Sequence, residues 1–254
     1  MSYPNFTLTG KKTIVTGAST GIGKGIALAM ADAGADVLVT SRTLAKAEPV
    51  AAEIRAMGRQ AVAYELDVRQ VANIDAMMAT AQAEFGRIDV LVNNAGINII
   101  ELAFDVTEAH WDDVQDTNLR GLFFCCQRAG QIMRDQGGGK IINIGSQMGS
   151  VGGFNRAAYC ASKGGVVNLT RVLAIEWAEH KILVNTVAPT FIETPLTTPQ
   201  FEDEAFHQEV ISKIPLGRVG DVQDVSGAVI FLASSAADLI TGHTLLVDGG
   251  WTAW

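Results

Sequence analysis

Short apolar runs rich in β-branched residues alternate with amphipathic stretches along almost the whole chain. The runs are Thr13–Thr16, Asp36–Thr40, Ala61–Glu65, Val90–Asn93, Lys140–Ile144, Leu183–Val187 and Thr244–Val247. Several are continuously apolar rather than alternating, as expected of parallel strands covered on both faces. Between the first two, Ile22, Ile26, Ala29, Met30 and Ala33 form a stripe at helical spacing that Gly34 closes. Helical periodicity also covers Leu44–Met57, Val71–Phe85, Thr107–Arg134 and Ala157–Ala178.

Repeated β-α-β order requires right-handed crossovers and so predicts an α/β, doubly wound parallel sheet of about seven strands with helices on both faces, a Rossmann fold. No Pro-, Gly- or Ser-rich linker divides the chain, so residues 1–254 are expected to form one domain. Gly137-Gly138-Gly139 reads as a turn before a strand. Thr190–Ile214, with Pro195, Pro199 and the following Pro215, reads as an irregular segment long enough to be a substrate flap.

Composition narrows the class. The 48% hydrophobic and 18% charged content suits a globular protein, and its 254 residues can bury a large core. The net charge of −8 gives no electrostatic reason to expect nucleic acid or an anionic membrane as partner. Cys125, Cys126 and Cys160 lack metal-ligand spacing, and adjacent cysteines bridge only with strain, so free thiols in a reducing cytoplasm are expected. Met1–Gly10 has no basic region followed by an apolar run, and no apolar stretch is long enough for a membrane span. His110, His180, His207 and His243 are scattered, so no metal site is expected. The acidic run Asp105, Glu108, Asp112, Asp113 and Asp116 reads as a solvated helix start favoured by the helix dipole.

Thr16-Gly17-Ala18-Ser19-Thr20-Gly21-Ile22-Gly23 lies directly between the first strand and the first helix. Glycine permits a tight turn and lets backbone N–H groups approach a pyrophosphate, whose charge the helix N-terminus favours. Glycine turns also occur without a ligand, but this position favours a dinucleotide. The spacing is Gly-x3-Gly-x-Gly rather than the commoner Gly-x-Gly-x-x-Gly. The second strand ends at Ser41-Arg42 with no acidic residue to bind a ribose 2′-hydroxyl. An arginine there can receive a 2′-phosphate, which tilts the choice between NAD and NADP towards NADP.

Tyr159 and Lys163 are four residues apart in a helical stretch and therefore share one face. A free phenol, with a pKa of about 10, is too weakly acidic for efficient base catalysis near neutrality. A neighbouring cation is expected to lower that value.

With Asp67-Val68, Asn93-Asn94-Ala95-Gly96, Asn118, Ser146, Val184-Asn185 and Val247-Asp248-Gly249-Gly250, these segments resemble the short-chain dehydrogenase/reductase family over essentially the whole chain. The resemblance extends to its sugar, polyol and sugar-acid dehydrogenases and its 3-oxoacyl reductases. It implies that Ser146 polarises the substrate oxygen, Tyr159 is the general acid/base, Lys163 lowers the tyrosine pKa and holds the nicotinamide ribose, and Asn118 supports a water relay. It further implies dinucleotide contacts from Gly17, Ser19, Thr20, Gly21, Ile22, Gly23, Ser41, Arg42, Asp67, Val68, Asn93, Ala95, Gly96, Pro189, Ile192 and Thr194. Thr190 follows Pro189 where the family usually has glycine, and a β-branched residue restricts the backbone, so a different local turn is expected.

The implied reaction is hydride transfer between nicotinamide and a carbonyl/secondary alcohol pair, with Tyr159 moving the proton. Segments after the strand ends should line the substrate pocket and contribute Asn98, Gln147, Asn155, Arg156 and Glu193. This polar set favours a small sugar, polyol or sugar acid, with Arg156 as a carboxylate partner. A 3-oxoacyl thioester reductase shares the same catalytic set, and a non-catalytic dinucleotide-binding protein is the remaining alternative. The tail Trp251-Thr252-Ala253-Trp254 should bury its rings, as an interface or a pocket wall for a neighbouring subunit, and a homotetramer is expected from the resemblance.

Overall fold

A computed structural model describes residues 3, 5–195 and 197–253. Seven strands form one parallel sheet: β1 (Lys12–Val15), β2 (Asp36–Ser41), β3 (Ala61–Glu65), β4 (Val90–Asn93), β5 (Gly139–Ile144), β6 (Ile182–Pro189) and β7 (Thr244–Val247), in the order β3-β2-β1-β4-β5-β6-β7. The order reverses between β1 and β4. The crevice outside their carboxyl ends is where open α/β sheets bind ligands.

The continuous apolar runs have a direct explanation in the two cores. On one face Val15, Val37, Val39, Val90, Val92 and Ile142 pack with helices α1 (Gly21–Asp32) and α2 (Leu44–Ala56). On the other face Ile14, Leu38, Leu91, Ile141 and Val184 pack with α3 (Val71–Phe85). Successive strand residues point to opposite faces, so a sheet covered on both sides has no polar alternation to show.

The periodic stretch expected as one helix over Thr107–Arg134 is a continuous run with an inserted wider turn. Helix α4 (Glu108–Gln115) leads into a π-helical segment, Asp116–Gly121, and then α5 (Leu122–Asp135). Thr107 caps its start by accepting from the His110 N–H, and Asp113 of the acidic run pairs with Arg69 at 3.1 Å. Helix α6 (Ala157–Trp177) follows β5 and joins α5 on the second face.

Thr190–Ile214 departs from the irregular course expected of it. It holds two short helices, α7 (Thr198–Phe201) and α8 (Glu204–Ser212), the second capped by Asp203. Helix α9 (Val222–Ala233), absent from the expectations above, packs Val225, Val229 and Leu232 into the first core. Its start carries a legible signal: Asp221 and Asp224 form a reciprocal capping box. No helix among the described residues is long and apolar enough to cross a membrane.

Candidate active site

The glycine turn is stitched to the end of β4. Thr16 Oγ1 accepts from the N–H groups of Asn94 and Ala95, both at 3.0 Å, while Asn94 Nδ2 donates to the carbonyls of Thr16 and Gly17. This closeness explains two of the glycines. A Cβ on Gly17, whose φ is +62°, would stand 2.9 Å from Ala95 Cα; one on Gly23 would stand 2.3 Å from the Gly17 carbonyl. Thr20, the residue before α1, makes no side-chain cap, and the first turn carries no acidic residue. Its free N–H groups and the positive end of the helix dipole suit a pyrophosphate. Ser19 and Ile22 flank this start, and Thr194 of the segment after β6 lies against Gly21.

At the end of β2, Ser41 is buried and Arg42 is exposed with no carboxylate in salt-bridge range among the described residues. Asp67 lies nearby. Arg69 holds its carboxyl below the usual carboxylate range, with Arg42 adding a smaller electrostatic pull. Val68 is buried, and its carbonyl lies against Gly121 of the π-helical segment.

Asn93 ends β4. Its side chain turns into the core and donates to Cys126 Sγ at 3.1 Å and Asn143 Oδ1 at 3.0 Å. Gly96 stands in front of Asn118 and Lys163, and Ala95 packs at the edge of the second core. Asn118, in the π-helical segment, is fully buried. Its Oδ1 accepts from Ile97 N–H at 2.8 Å, and its Nδ2 donates to the Ile97 carbonyl and Ser162 Oγ. That side chain therefore fixes the loop after β4, and a water relay would have to use the Asn118 backbone instead.

Ser146 follows β5, and its Oγ accepts from Met148 N–H. Lys163 is buried in α6, and its Nζ donates to the Ile144 carbonyl at 2.8 Å. The same Nζ is 5.6 Å from the centre of the Tyr159 ring. Burial pushes the Lys163 ammonium down to about 8. The Tyr159 phenol is raised by burial, partly opposed by the Ser146 hydroxyl beside it. Lys163 Nζ is engaged by the Ile144 carbonyl, and burial sets the direction of the tyrosine shift in this structure.

The polar residues expected around the pocket separate. Asn98 and Glu193 are exposed, whereas Gln147 is buried. Arg156 is half-buried, its guanidinium 5.7 Å from the Phe191 ring, and Nη1 donates to the Phe154 carbonyl. It lies close enough to Tyr159 to act on it electrostatically, and no carboxylate among the described residues pairs with it. Thr190 does not have a positive φ, so the turn after Pro189 accommodates a β-branched residue without strain. Pro189 ends β6, and Ile192 is buried and bridged to Gly220. Trp251 packs on Phe191 of its own chain at 5.8 Å and lies under Lys213, which leaves it half-buried. Trp254 lies outside the described residues. A separate cavity of about 570 Å³ opens at the amino ends of the strands, where Lys11 and Arg87 pair with Asp89, and Lys140 with Asp238.

A glycine turn at the sheet's switch point, with buried Ser146 and Lys163 and half-buried Tyr159 beside it, suits a dinucleotide-dependent oxidoreductase. A family model described as enoyl-(acyl carrier protein) reductase matches residues 17–252. The chain belongs to this family within the short-chain dehydrogenase/reductases, NAD(P)-dependent oxidoreductases acting on carbonyl/secondary alcohol pairs. It is similar to 2-dehydro-3-deoxy-D-gluconate 5-dehydrogenase of Escherichia coli (strain K12), 43% identical over 98% of both chains. It is also similar to 3-oxoacyl-(acyl-carrier-protein) reductase FabG of Staphylococcus aureus (strain Mu50), 44% identical over 94% of this chain and 97% of the relative. A solved gluconate 5-dehydrogenase of Burkholderia cenocepacia, in complex with NADP and tartrate, superimposes with a TM-score of 0.95, at 37% identity and 98% coverage of each chain.

Proposed function

We propose that the protein is an NADP-dependent dehydrogenase of a small sugar acid. The observation that carries the substrate class is Arg156. A half-buried guanidinium with no carboxylate partner, beside the phenol of Tyr159, suits an anionic substrate whose reacting carbon faces that phenol. Similarity to a 2-dehydro-3-deoxy-D-gluconate 5-dehydrogenase and a gluconate 5-dehydrogenase supports the same class.

The dinucleotide would lie across the β1/β4 crevice. Backbone groups of Gly17, Ser19, Thr20, Gly21, Ile22 and Gly23 would hold its phosphates, and Ser41 and Arg42 a 2′-phosphate. Asp67, Val68, Ala95 and Gly96 would border the adenosine half, with Asn93 through its backbone. Pro189, Ile192 and Thr194 would border the nicotinamide, and Lys163 its ribose. Bound there, the nicotinamide supplies or accepts the hydride. In reduction, Ser146 and Tyr159 donate hydrogen bonds to the carbonyl oxygen, and Tyr159 delivers the proton; in oxidation the same hydroxyl accepts it. Asn118 fixes the Ile97 loop, and its backbone carries the relay to Lys163.

The segment 190–214, with its helices packed around Phe191, Phe201 and Phe206, serves as the substrate flap of a single domain. Ile175 and Val172, exposed one turn apart on α6, support self-association as a homotetramer, and the three unbridged thiols suit the cytoplasm. A 3-oxoacyl thioester reductase is the second reading, favoured by the similarity to the Staphylococcus enzyme. Arg156→Ala tests the first. It should raise KM for sugar acids about tenfold or more while changing KM for uncharged polyols far less. Equal changes for both substrates, or a wild type that reduces only ketoacyl thioesters, would refute it.

A further inference from the structure

Gln147 directly follows Ser146 and is 1% exposed. Neither its amide nitrogen nor its amide oxygen has a hydrogen-bond partner. A primary amide offers two donors and an acceptor with two lone pairs, and folded proteins rarely bury such a group unpaired. The carbonyl of Gln147, in contrast, is engaged twice: it accepts from Ser150 N–H at 2.8 Å and Val151 N–H at 3.1 Å. The turn is therefore held by its main chain, and the amide is not needed to build it.

The position of this amide matters as much as its lack of partners. The turn Gln147–Gly149 packs between α6, which carries Tyr159 and Lys163, and the end of β6. The β5–β6 register pairs Ile144 with Val187. β5 ends at Ile144 and β6 at Pro189, so Gln147 and Thr190 lie in the segments that leave these neighbouring strands at the same end of the sheet. The Thr190 hydroxyl is also buried without a partner, as is Asn155 Oδ1 in the loop before α6. Of the six such side-chain atoms among the described residues, four therefore belong to three segments around Ser146 and Tyr159.

We propose that Gln147 is a specificity-determining residue whose amide, together with the Thr190 hydroxyl, hydrogen-bonds substrate hydroxyl groups next to the reacting carbon. This rests on the sugar-acid reading above. A hydroxyl-rich substrate completes the hydrogen bonds of these groups, whereas a hydrocarbon chain in the same place leaves them desolvated and unpaired. Sites built this way reject the analogue that lacks the hydroxyl far more strongly than an apolar pocket can.

Gln147→Met preserves side-chain length while removing every donor and acceptor, and Thr190→Val does the same for the hydroxyl. For each variant, kcat/KM is measured for a sugar acid and for a hydroxyl-poor hydroxy acid of similar size, with NADP. Melting temperature and NADPH affinity are measured alongside. The ratio of the two kcat/KM values is expected to fall about tenfold or more in Gln147→Met and less in Thr190→Val. NADPH affinity should stay at the wild-type value, and the melting temperature should not drop, since a buried unpaired amide is removed. An equal loss on both substrates, or an unchanged ratio, overturns the assignment of Gln147. A wild type that turns over no sugar acid overturns the reading on which it rests, so the two failures are distinct.

Discussion

Tyr159 is half-buried beside Ser146 and Arg156, and its phenol is held in the protonated form by burial. That state suits proton donation to a developing alkoxide. Tyr159→Phe should therefore lower kcat by about 10²–10⁴-fold while leaving NADPH affinity intact, as measured by steady-state rates and fluorescence titration. Lys163 gives a pH signature of the opposite kind. Burial depresses its folded pKa to about 8 from 10.5, so the protein binds fewer protons there than the unfolded chain between those values. The cost of burying the charge is fully present below about pH 8 and is relieved as pH rises towards 10.5. Lys163→Met should thus gain stability over the wild type near pH 7, and that advantage should shrink as denaturant titrations are repeated at rising pH. A constant difference would contradict the assigned shift. The pairing of Tyr159 with Lys163 was legible from their spacing, but the sign of the tyrosine shift was not. Spacing shows which groups are neighbours, whereas desolvation depends on everything packed around them.

At the scale of elements, the turn between β1 and α1 shows why glycine is required where it stands. The Gly23 site lies against both the Gly17 carbonyl and the Asn94 side-chain amide, so an added methyl must displace one turn from the other. Gly23→Ala is expected to destabilise the protein by about 1–3 kcal/mol and to weaken NADPH binding, in thermal melts and titrations. The strands were readable because several are apolar on both faces over four to eight residues. Helix α9 was not read, although Asp221 and Asp224 mark its start, because its stripe of Val225, Val229 and Leu232 lies among other apolar residues that blur the period. The π-helical turn at Asp116–Gly121 left no trace in the apolar pattern either. It shifts the backbone bonding by one residue without interrupting the helix, and it is this turn that carries Asn118 to Ile97.

At the scale of the molecule, the exposed apolar pair on α6 leads to a test of assembly. Ile175 is 79% exposed, and Ile175→Asp should shift the proposed homotetramer towards smaller species by light scattering, since a charge would be buried without a partner. An unchanged mass would place the interface elsewhere. The sequence by itself determined the parallel α/β sheet and the glycine turn, because hydrophobic period and motif spacing are local properties of the chain, and its family resemblance pointed to Ser146, Tyr159 and Lys163. Only the tertiary structure decided what those residues meet: Asn93 in the core, Asn118 clamped to Ile97, Trp251 packed on Phe191, Arg156 bonded to the Phe154 carbonyl but to no carboxylate, and the Gln147 amide without a partner in the turn after Ser146. Burial and hydrogen-bond pairing are set by segments far apart along the chain, and they become properties of a residue only when the sheet brings those segments together.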